Sequence, residues 1–160
     1  FISDRIAEGG LKIFAECIPA IKALDFNYEI REKLILMSTM AGMVIAQAGT
    51  SLPHACGYMP TYEKGIPHGR ANAIFTRAYL ELFPDQTKTN TILQILGFED
   101  LEEFNNFLKS VLEEREDFTE ADVERYTDAL MANPGKLALH PHPLTRGEVY
   151  EMYKKSLLLY

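Results

Sequence analysis

The sequence predicts an all-α fold, a multi-helical bundle of about seven to eight helices. Apolar residues recur three and four positions apart over long stretches, which is the spacing of one helix face. Thr119 and Thr145 each precede an acidic residue by three positions, a pattern that caps the start of a helix. No convincing strand, repeat or low-complexity linker interrupts this pattern. We therefore expect a single helical domain over residues 1–160.

The first two predicted helices differ in their apolar pattern. Ser3 can cap a helix that runs to about residue 24 and keeps its apolar residues on one face. The second helix spans about residues 28–48 and is apolar nearly all round over residues 34–46. A helix of that kind lies at the centre of a domain, so we expect it to be buried. Gly42 within it indicates a close contact between helices.

Six further helices are expected after the second. A short third helix carries His54 and Tyr58 one turn apart, and residues 62–67 form a loop. The fourth helix covers about residues 68–83, and the fifth covers residues 85–96. The last three begin near Asp100, Thr119 and Thr145, and Pro134-Gly135 ends the seventh.

Composition disfavours several kinds of partner and compartment. The 16 basic and 23 acidic residues give a net charge of −7 without a basic run, which argues against nucleic acid as a partner. The longest apolar stretches are broken well before about 20 residues, so no membrane-spanning helix is expected. Cys17 and Cys56 are too few for a disulfide framework, and a reducing cytoplasm fits them best.

Two histidines mark the place where a chemical task can be inferred from the residues. His54 and His68 lie fourteen positions apart, in Leu-Pro-His-Ala and Ile-Pro-His-Gly. Neutral imidazole is the commonest side-chain ligand for a metal ion. Pro67 and Gly69 shape the backbone around the second imidazole, and the turn between the histidines can bring two helix ends together. Catalytic metal sites use three or more protein ligands, so two histidines supply an incomplete set.

A second pair of histidines, His140 and His142, lies in the run His-Pro-His-Pro. Residues two apart on an extended backbone can project to one side, which would allow a local chelate. The prolines fit a stiff loop better, and we interpret the run in that way.

Several further motifs accompany the histidines. They are Ala41-Gly42-Met43, His54-Ala55, Ile66-Pro67-His68-Gly69-Arg70-Ala71-Asn72-Ala73-Ile74, and Pro141-His142-Pro143-Leu144-Thr145 followed by Glu148-Val149-Tyr150. Together these motifs resemble the iron-containing alcohol dehydrogenases, in which a His-Ala or His-Gly pair and a later Pro-His-Gly supply two of four metal ligands. The resemblance covers most of the chain, and residues 85–133 match loosely.

The resemblance implies a fold, a metal and a cofactor. The fold is the family's C-terminal helical domain, and the metal is Fe²⁺ held by His54 and His68. Zn²⁺ is possible because imidazole and carboxylate ligands suit both ions. In the family the other two ligands, an aspartate and a histidine four residues on, and the domain that binds NAD or NADP lie upstream of the position of Phe1. No glycine-rich phosphate loop occurs in this chain, so no cofactor-binding residue is assigned to it.

Tyr58 departs from the family pattern. Many members carry a histidine four residues after the first ligand, facing the nicotinamide and the substrate. A tyrosine has an ordinary pKa of about 10 against about 6.5 for histidine, so it is a poorer proton relay near neutral pH. Tyr58 is therefore interpreted as a pocket wall or a proton relay, and both roles stay open.

By resemblance, the full-length protein is an oxidoreductase that interconverts alcohols and aldehydes or ketones. The metal would act as a Lewis acid on the substrate oxygen while NAD(P) accepts hydride. Because residue 1 is Phe and half of the ligands are absent, we interpret the chain as a fragment that is inactive alone. Its partners would be its own N-terminal nucleotide-binding domain, a small alcohol or aldehyde, and further copies of itself in a homo-oligomer. The alternatives are a non-catalytic helical interaction module, or a relative that uses zinc or different chemistry on the same fold.

Overall fold

The computed structural model describes residues 2–112 and 116–159. Over these ranges the chain is helical without a strand, which confirms the predicted all-α fold. Ten helices occur in the described ranges, and eight of them have seven or more residues. In chain order they are α1 (Ile2–Lys22), α2 (Tyr28–Ala48), α3 (Leu52–Lys64), α4 (His68–Ile74), α5 (Thr76–Glu81), α6 (Thr87–Leu96), α7 (Leu101–Leu112), α8 (Glu120–Met131), α9 (Pro134–Leu137) and α10 (Arg146–Leu157).

The helices belong to two compact units. Unit 1 comprises Phe1–Gly49 and Asp85–Val111, and it contains α1, α2, α6 and nearly all of α7. Unit 2 comprises Thr50–Pro84 and Leu112–Tyr160, and it contains α3, α4, α5, α8, α9 and α10. The assignment of residues 1–160 to a single domain stays a prediction.

Unit 1 is built on α1, which packs along α2 and against α6. Gly9 of α1 faces Met40 of α2, since a Cβ at this position would come 2.8 Å from the flexible end of the Met40 side chain. On another side, Phe14 of α1 makes an edge contact with Phe107 of α7, with ring centroids 6.5 Å apart. Phe107 also contacts Phe98 at 5.4 Å, so an aromatic cluster joins the two halves of unit 1.

The prediction that α2 is buried is wrong. No residue of α2 is buried, and Ile35, Leu36, Met43 and Ile45 are between 45% and 69% exposed. The close contact predicted at Gly42 is also wrong, because no described atom lies within 4 Å of the place a Cβ would take. Apolar residues all round a helix show that it lacks a polar face, but they do not specify what covers each side. Within the described ranges no single helix is long and apolar enough to cross a membrane, and only α2 and α3 counted together reach that composition.

Unit 2 has its core between α3, α5, α8 and α10. Tyr126 and Tyr153 are fully buried with ring centroids 5.9 Å apart, and Phe75 meets Tyr153 edge-on at 5.3 Å. The other buried apolar residues of this core are Leu52, Ala55, Cys56, Ala78, Val123, Leu130, Val149 and Met152. Because the core begins in the first turn of α3, it fixes the segment that carries His54.

Three helix boundaries differ from the prediction. α3 continues through Lys64 where a loop was expected, because the first left-handed residue comes only at position 65. The single helix predicted over residues 68–83 is divided at Phe75, whose N–H bonds to the carbonyl of Asn72 at 3.2 Å. This tighter turn accompanies the burial of the Phe75 ring in the core. Pro134 follows the end of α8 as predicted but also begins α9, since a proline is compatible with a first helical turn.

Both predicted capping boxes are present. The Thr145 Oγ1 accepts the backbone N–H of Glu148 at 3.3 Å, and the Glu148 carboxylate accepts the N–H of Thr145 at 2.8 Å. Thr119 and Asp122 form the same pair of bonds at the start of α8. Each box satisfies two N–H groups that a helix start would otherwise leave without partners.

Replacing Thr145 by Ala is expected to lower the free energy of unfolding by about 1 kcal/mol, because a bond that caps α10 is lost. Urea unfolding followed by circular dichroism measures the change. Thr39→Ala is the matched control, because Thr39 lies inside α2, where alanine is the better helix former. Equal destabilisation by both substitutions would contradict a capping role for Thr145.

Candidate metal centre

The two predicted ligands lie at the starts of consecutive helices. His54 is in the first turn of α3, and His68 is the first residue of α4. The chain reverses between them at Gly65, whose φ of 70° lies in the left-handed region that favours glycine. Pro67 then enters α4 with an extended backbone, φ −51° and ψ 131°. The reversal packs α4 against α3 and brings the two imidazoles together.

The imidazole nitrogens of the two histidines converge. The Nε2 of His68 lies 3.0 Å from the Nδ1 of His54, and the ring centroids are 4.8 Å apart at an interplanar angle of 64°. Two imidazole nitrogens on one ion, at metal–nitrogen distances of 2.0–2.1 Å, lie roughly 2.9–3.4 Å apart for octahedral or tetrahedral angles. The observed separation therefore fits two ligands of one metal ion.

The surroundings of the pair favour metal-binding forms of the rings. Thr61 lies on the far side of His68, with its Oγ1 3.4 Å from the Nδ1, which leaves Nε2 directed at His54. The pKa of His54 is lowered below its ordinary value. The largest cause is burial, followed by the charge of His68 and then by that of Lys136. A lowered pKa favours the neutral imidazole, which is the form that binds a metal ion.

Tyr58 lies beside the histidine pair. Its ring stacks on that of His68 at 5.2 Å with an interplanar angle of 13°, and the residue is 47% exposed. The ammonium nitrogen of Lys136 lies 5.0 Å from the centre of the Tyr58 ring. The stacking gives Tyr58 the position of a wall next to His68, and a role in proton transfer stays a prediction.

Gly57 is a site residue that the sequence analysis missed. A Cβ on Gly57 would come 2.2 Å from the Oδ1 of Asn72 and 3.4 Å from its backbone nitrogen. The absence of a side chain therefore permits α4 to lie close against α3. A glycine inside a helix destabilises the helix relative to alanine. The presence of Gly57 within a predicted helix was therefore the sequence feature that could have indicated a close contact.

An ion pair holds the start of α4. Arg70 donates from its two terminal nitrogens to the carboxylate of Glu116 at 2.6 and 3.1 Å, and from Nε to the carbonyl of Leu112 at 3.1 Å. The two charged side chains are only 14% and 22% exposed, so solvent screens them weakly. A bidentate pair fixes orientation as well as distance, which keeps His68 in place two residues away.

A second polar contact holds the end of α3 against α8. Glu63 accepts hydrogen bonds from Arg125 and, at 2.8 Å, from the hydroxyl of Tyr126. The bond from Arg125, and then that from Tyr126, lowers the pKa of Glu63. The carboxylate is therefore stabilised in its charged form where α3 meets α8.

Other nucleophilic or metal-binding side chains do not join the pair in the described ranges. Cys56 is fully buried, and burial raises the pKa of its thiol to about 12, so it stays protonated and packs in the core. His140 is also buried, with its ring in edge contact with Phe83 at 4.8 Å. Residues 2–112 and 116–159 contain no group of three or more His, Cys, Asp or Glu placed to hold a metal ion. The donor set in these ranges is two imidazoles.

Comparison with known proteins identifies the family of this chain. Residues 1–157 match the model for the C-terminal part of the Fe-containing alcohol dehydrogenase family. The chain belongs to this family. The recognition made from the motifs is thereby confirmed.

Curated relatives of this family are alcohol dehydrogenases. The probable alcohol dehydrogenase EutG of Salmonella typhimurium is 36% identical over 74 residues, which are 45% of this chain and 18% of that protein. The 4-hydroxybutyrate dehydrogenase of Clostridium kluyveri is 25% identical over 150 residues, covering 84% of this chain and 40% of that protein. The aligned part of this chain spans less than half of either relative's length.

Solved structures of family members share the fold. An iron-containing alcohol dehydrogenase from Thermotoga maritima matches with a TM-score of 0.85 and 32% identity, over 98% of this chain and 43% of that one. A second iron-containing alcohol dehydrogenase gives a TM-score of 0.84 and 32% identity, over 99% of this chain and 43% of that one. The all-α architecture is therefore that of the family's C-terminal domain.

Replacing Gly57 by Ala is expected to destabilise the protein by roughly 1–3 kcal/mol, because the new methyl group collides with the side chain of Asn72, which must move. Thermal unfolding measures the effect. Gly147→Ala in α10 is the control, because the nearest atom to its Cβ would be at an ordinary 3.9 Å. A Gly57→Ala variant as stable as the control would show that the close approach is not required.

Replacing Glu63 by Gln is expected to lower stability at neutral pH, by less than about 1 kcal/mol because the pair is partly exposed to solvent. A carboxylate with a lowered folded pKa stabilises the protein above its unfolded pKa, and this contribution is lost as pH falls through the folded pKa. The two unfolding curves should therefore differ at pH 7 and converge in acid, as measured in urea across pH. Glu32→Gln, at an exposed position of α2, should leave the profile unchanged.

Proposed function

We propose that this chain is the metal-binding C-terminal half of an NAD(P)-dependent, iron-containing alcohol dehydrogenase that interconverts alcohols and aldehydes or ketones. The observation that carries the proposal is the 3.0 Å separation of His54 Nδ1 and His68 Nε2, which fits two ligands of one ion. Membership of the iron-containing family supports iron as the ion. Zinc is the second candidate, because imidazole and carboxylate ligands suit both ions.

In this proposal each residue near the site has a task. His54 and His68 hold the ion, Thr61 orients the second imidazole, and Tyr58 forms one wall beside it. When bound, the ion would supply Lewis-acid stabilisation of the charge that develops on the substrate oxygen, and NAD(P) would serve as the hydride acceptor. The exposed Tyr58 ring lies where it would orient a small alcohol or aldehyde next to His68.

The remaining parts of the enzyme would lie outside the 160 residues. We place the other two metal ligands and the nucleotide-binding domain upstream of residue 1. The 43% coverage of the solved relatives supports this placement. We further propose a homo-oligomer, supported by the exposed apolar residues of α2, and a cytoplasmic location, supported by two buried free cysteines.

One candidate from another class is a non-catalytic interaction module. The exposed apolar residues of α2 favour it, because such patches mark sites of protein contact. The convergent imidazoles favour the dehydrogenase, since a module of this kind needs no pair of converging nitrogens. Metal analysis separates the two, because the enzyme should hold about one iron or zinc per chain.

Replacing His68 by Ala in the full-length protein is expected to remove bound iron or zinc and to lower alcohol oxidation by more than about 100-fold, because a direct ligand is lost. Elemental analysis and NAD(P)H absorbance measure the two effects. His142→Ala, at an exposed position outside the site, is the matched control. Normal metal content and activity in His68→Ala would reject the assignment.

The isolated 160-residue chain provides a second arm of the same experiment. With two of four proposed ligands, it should bind iron weakly and oxidise no alcohol. Clear turnover by the purified chain would contradict the proposed division of the site.

A further inference from the structure

A lysine lies beside the histidine pair and is not used by the chemistry described so far. Lys136 is in α9, and the side chain of Asn133 accepts its backbone N–H at 3.2 Å. Its ammonium nitrogen is 5.0 Å from the centre of the Tyr58 ring, and that ring is 5.2 Å from the ring of His68. The ammonium nitrogen of Lys136 is therefore separated from the centre of the His68 ring by at most these two distances added together. All of these residues belong to unit 2.

The ammonium of Lys136 forms no ion pair within the described ranges. Many cationic side chains there have a carboxylate close by, for example Lys33 with Glu29 and Lys155 with Glu81. Lys136 instead contacts the face of Tyr58, an interaction worth about 0.5–1 kcal/mol at exposed sites.

The ammonium of Lys136 lies near the histidine pair without a carboxylate partner in the described ranges, so an anionic group that enters the site can pair with it. The Tyr58 ring, which touches both Lys136 and His68, offers a short carbon chain an apolar surface along which to reach both.

We propose that Lys136 binds a carboxylate on the substrate, so that the preferred substrates are short hydroxycarboxylates and the matching aldehyde acids. The inference rests on the proposed dehydrogenase function and names its substrate class. The hydroxyl end lies at His54 and His68, the carbon chain lies along Tyr58, and the carboxylate pairs with the ammonium. Lys136 is thus a specificity-determining residue, separate from the metal ligands.

The first test compares two alcohols of equal chain length, 4-hydroxybutyrate and 1,4-butanediol, with the metal-loaded full-length protein. Lys136→Met should lower the ratio of kcat/KM for the acid over that for the diol by roughly 10–100-fold, as expected for a lost charge-assisted bond. Most of the loss should lie in the KM for the acid. Lys136→Arg should restore much of the ratio, and Lys12→Met, at an exposed position of α1, should leave it unchanged. An unchanged ratio in Lys136→Met overturns the proposal.

The second test uses binding alone, so that it does not depend on turnover. Isothermal titration of butyrate into the metal-loaded protein should show weaker binding to Lys136→Met by the same factor, with both proteins equally stable to heat. If neither alcohol is oxidised, the proposed function fails, while the titration still decides the anion site. Equal butyrate affinity in both proteins overturns that site. A rise in the KM for NAD(P) with both alcohols would assign Lys136 to a cofactor phosphate and would also overturn the substrate assignment.

Discussion

The candidate site depends on the close packing of α4 against α3. Two imidazole nitrogens 3.0 Å apart require helix starts that lie side by side, and Gly57 permits this by offering no side chain to Asn72. The chain reversal at Gly65 supplies the connection, because its positive φ suits a residue without a Cβ. A change at either glycine would therefore act on His54 and His68 without touching them.

Charged contacts also hold α3 and α4 in position. Arg70 ties the first turn of α4 to Glu116, and Glu63 ties the end of α3 to α8 through Arg125 and Tyr126. These pairs hold the two helices that carry His54 and His68.

Two further side chains, Tyr58 and Lys136, lie beside the imidazoles. In the proposed function, His54 and His68 would define where a hydroxyl lies, and Tyr58 and Lys136 would define what lies next to it. The two residues belong to different helices, α3 and α9. Lys136 lies in α9, the shortest helix in the described ranges, which follows α8 directly. This position places its ammonium over the Tyr58 ring.

The sequence by itself determined the helical class and both capping boxes, because these features depend on local spacing. It also singled out the two histidines as candidate ligands, through the resemblance of their motifs to those of a family. Thr145 and Glu148 are close enough in sequence to meet in any helix start. Tertiary structure decided what local spacing does not encode. It left α2 exposed, divided the predicted fourth helix at the buried Phe75, and brought Lys136 over Tyr58. Burial and long-range contact depend on which helix faces oppose each other in the folded chain. The local sequence around an apolar or charged residue is the same whichever partner it contacts, so that sequence does not specify the partner.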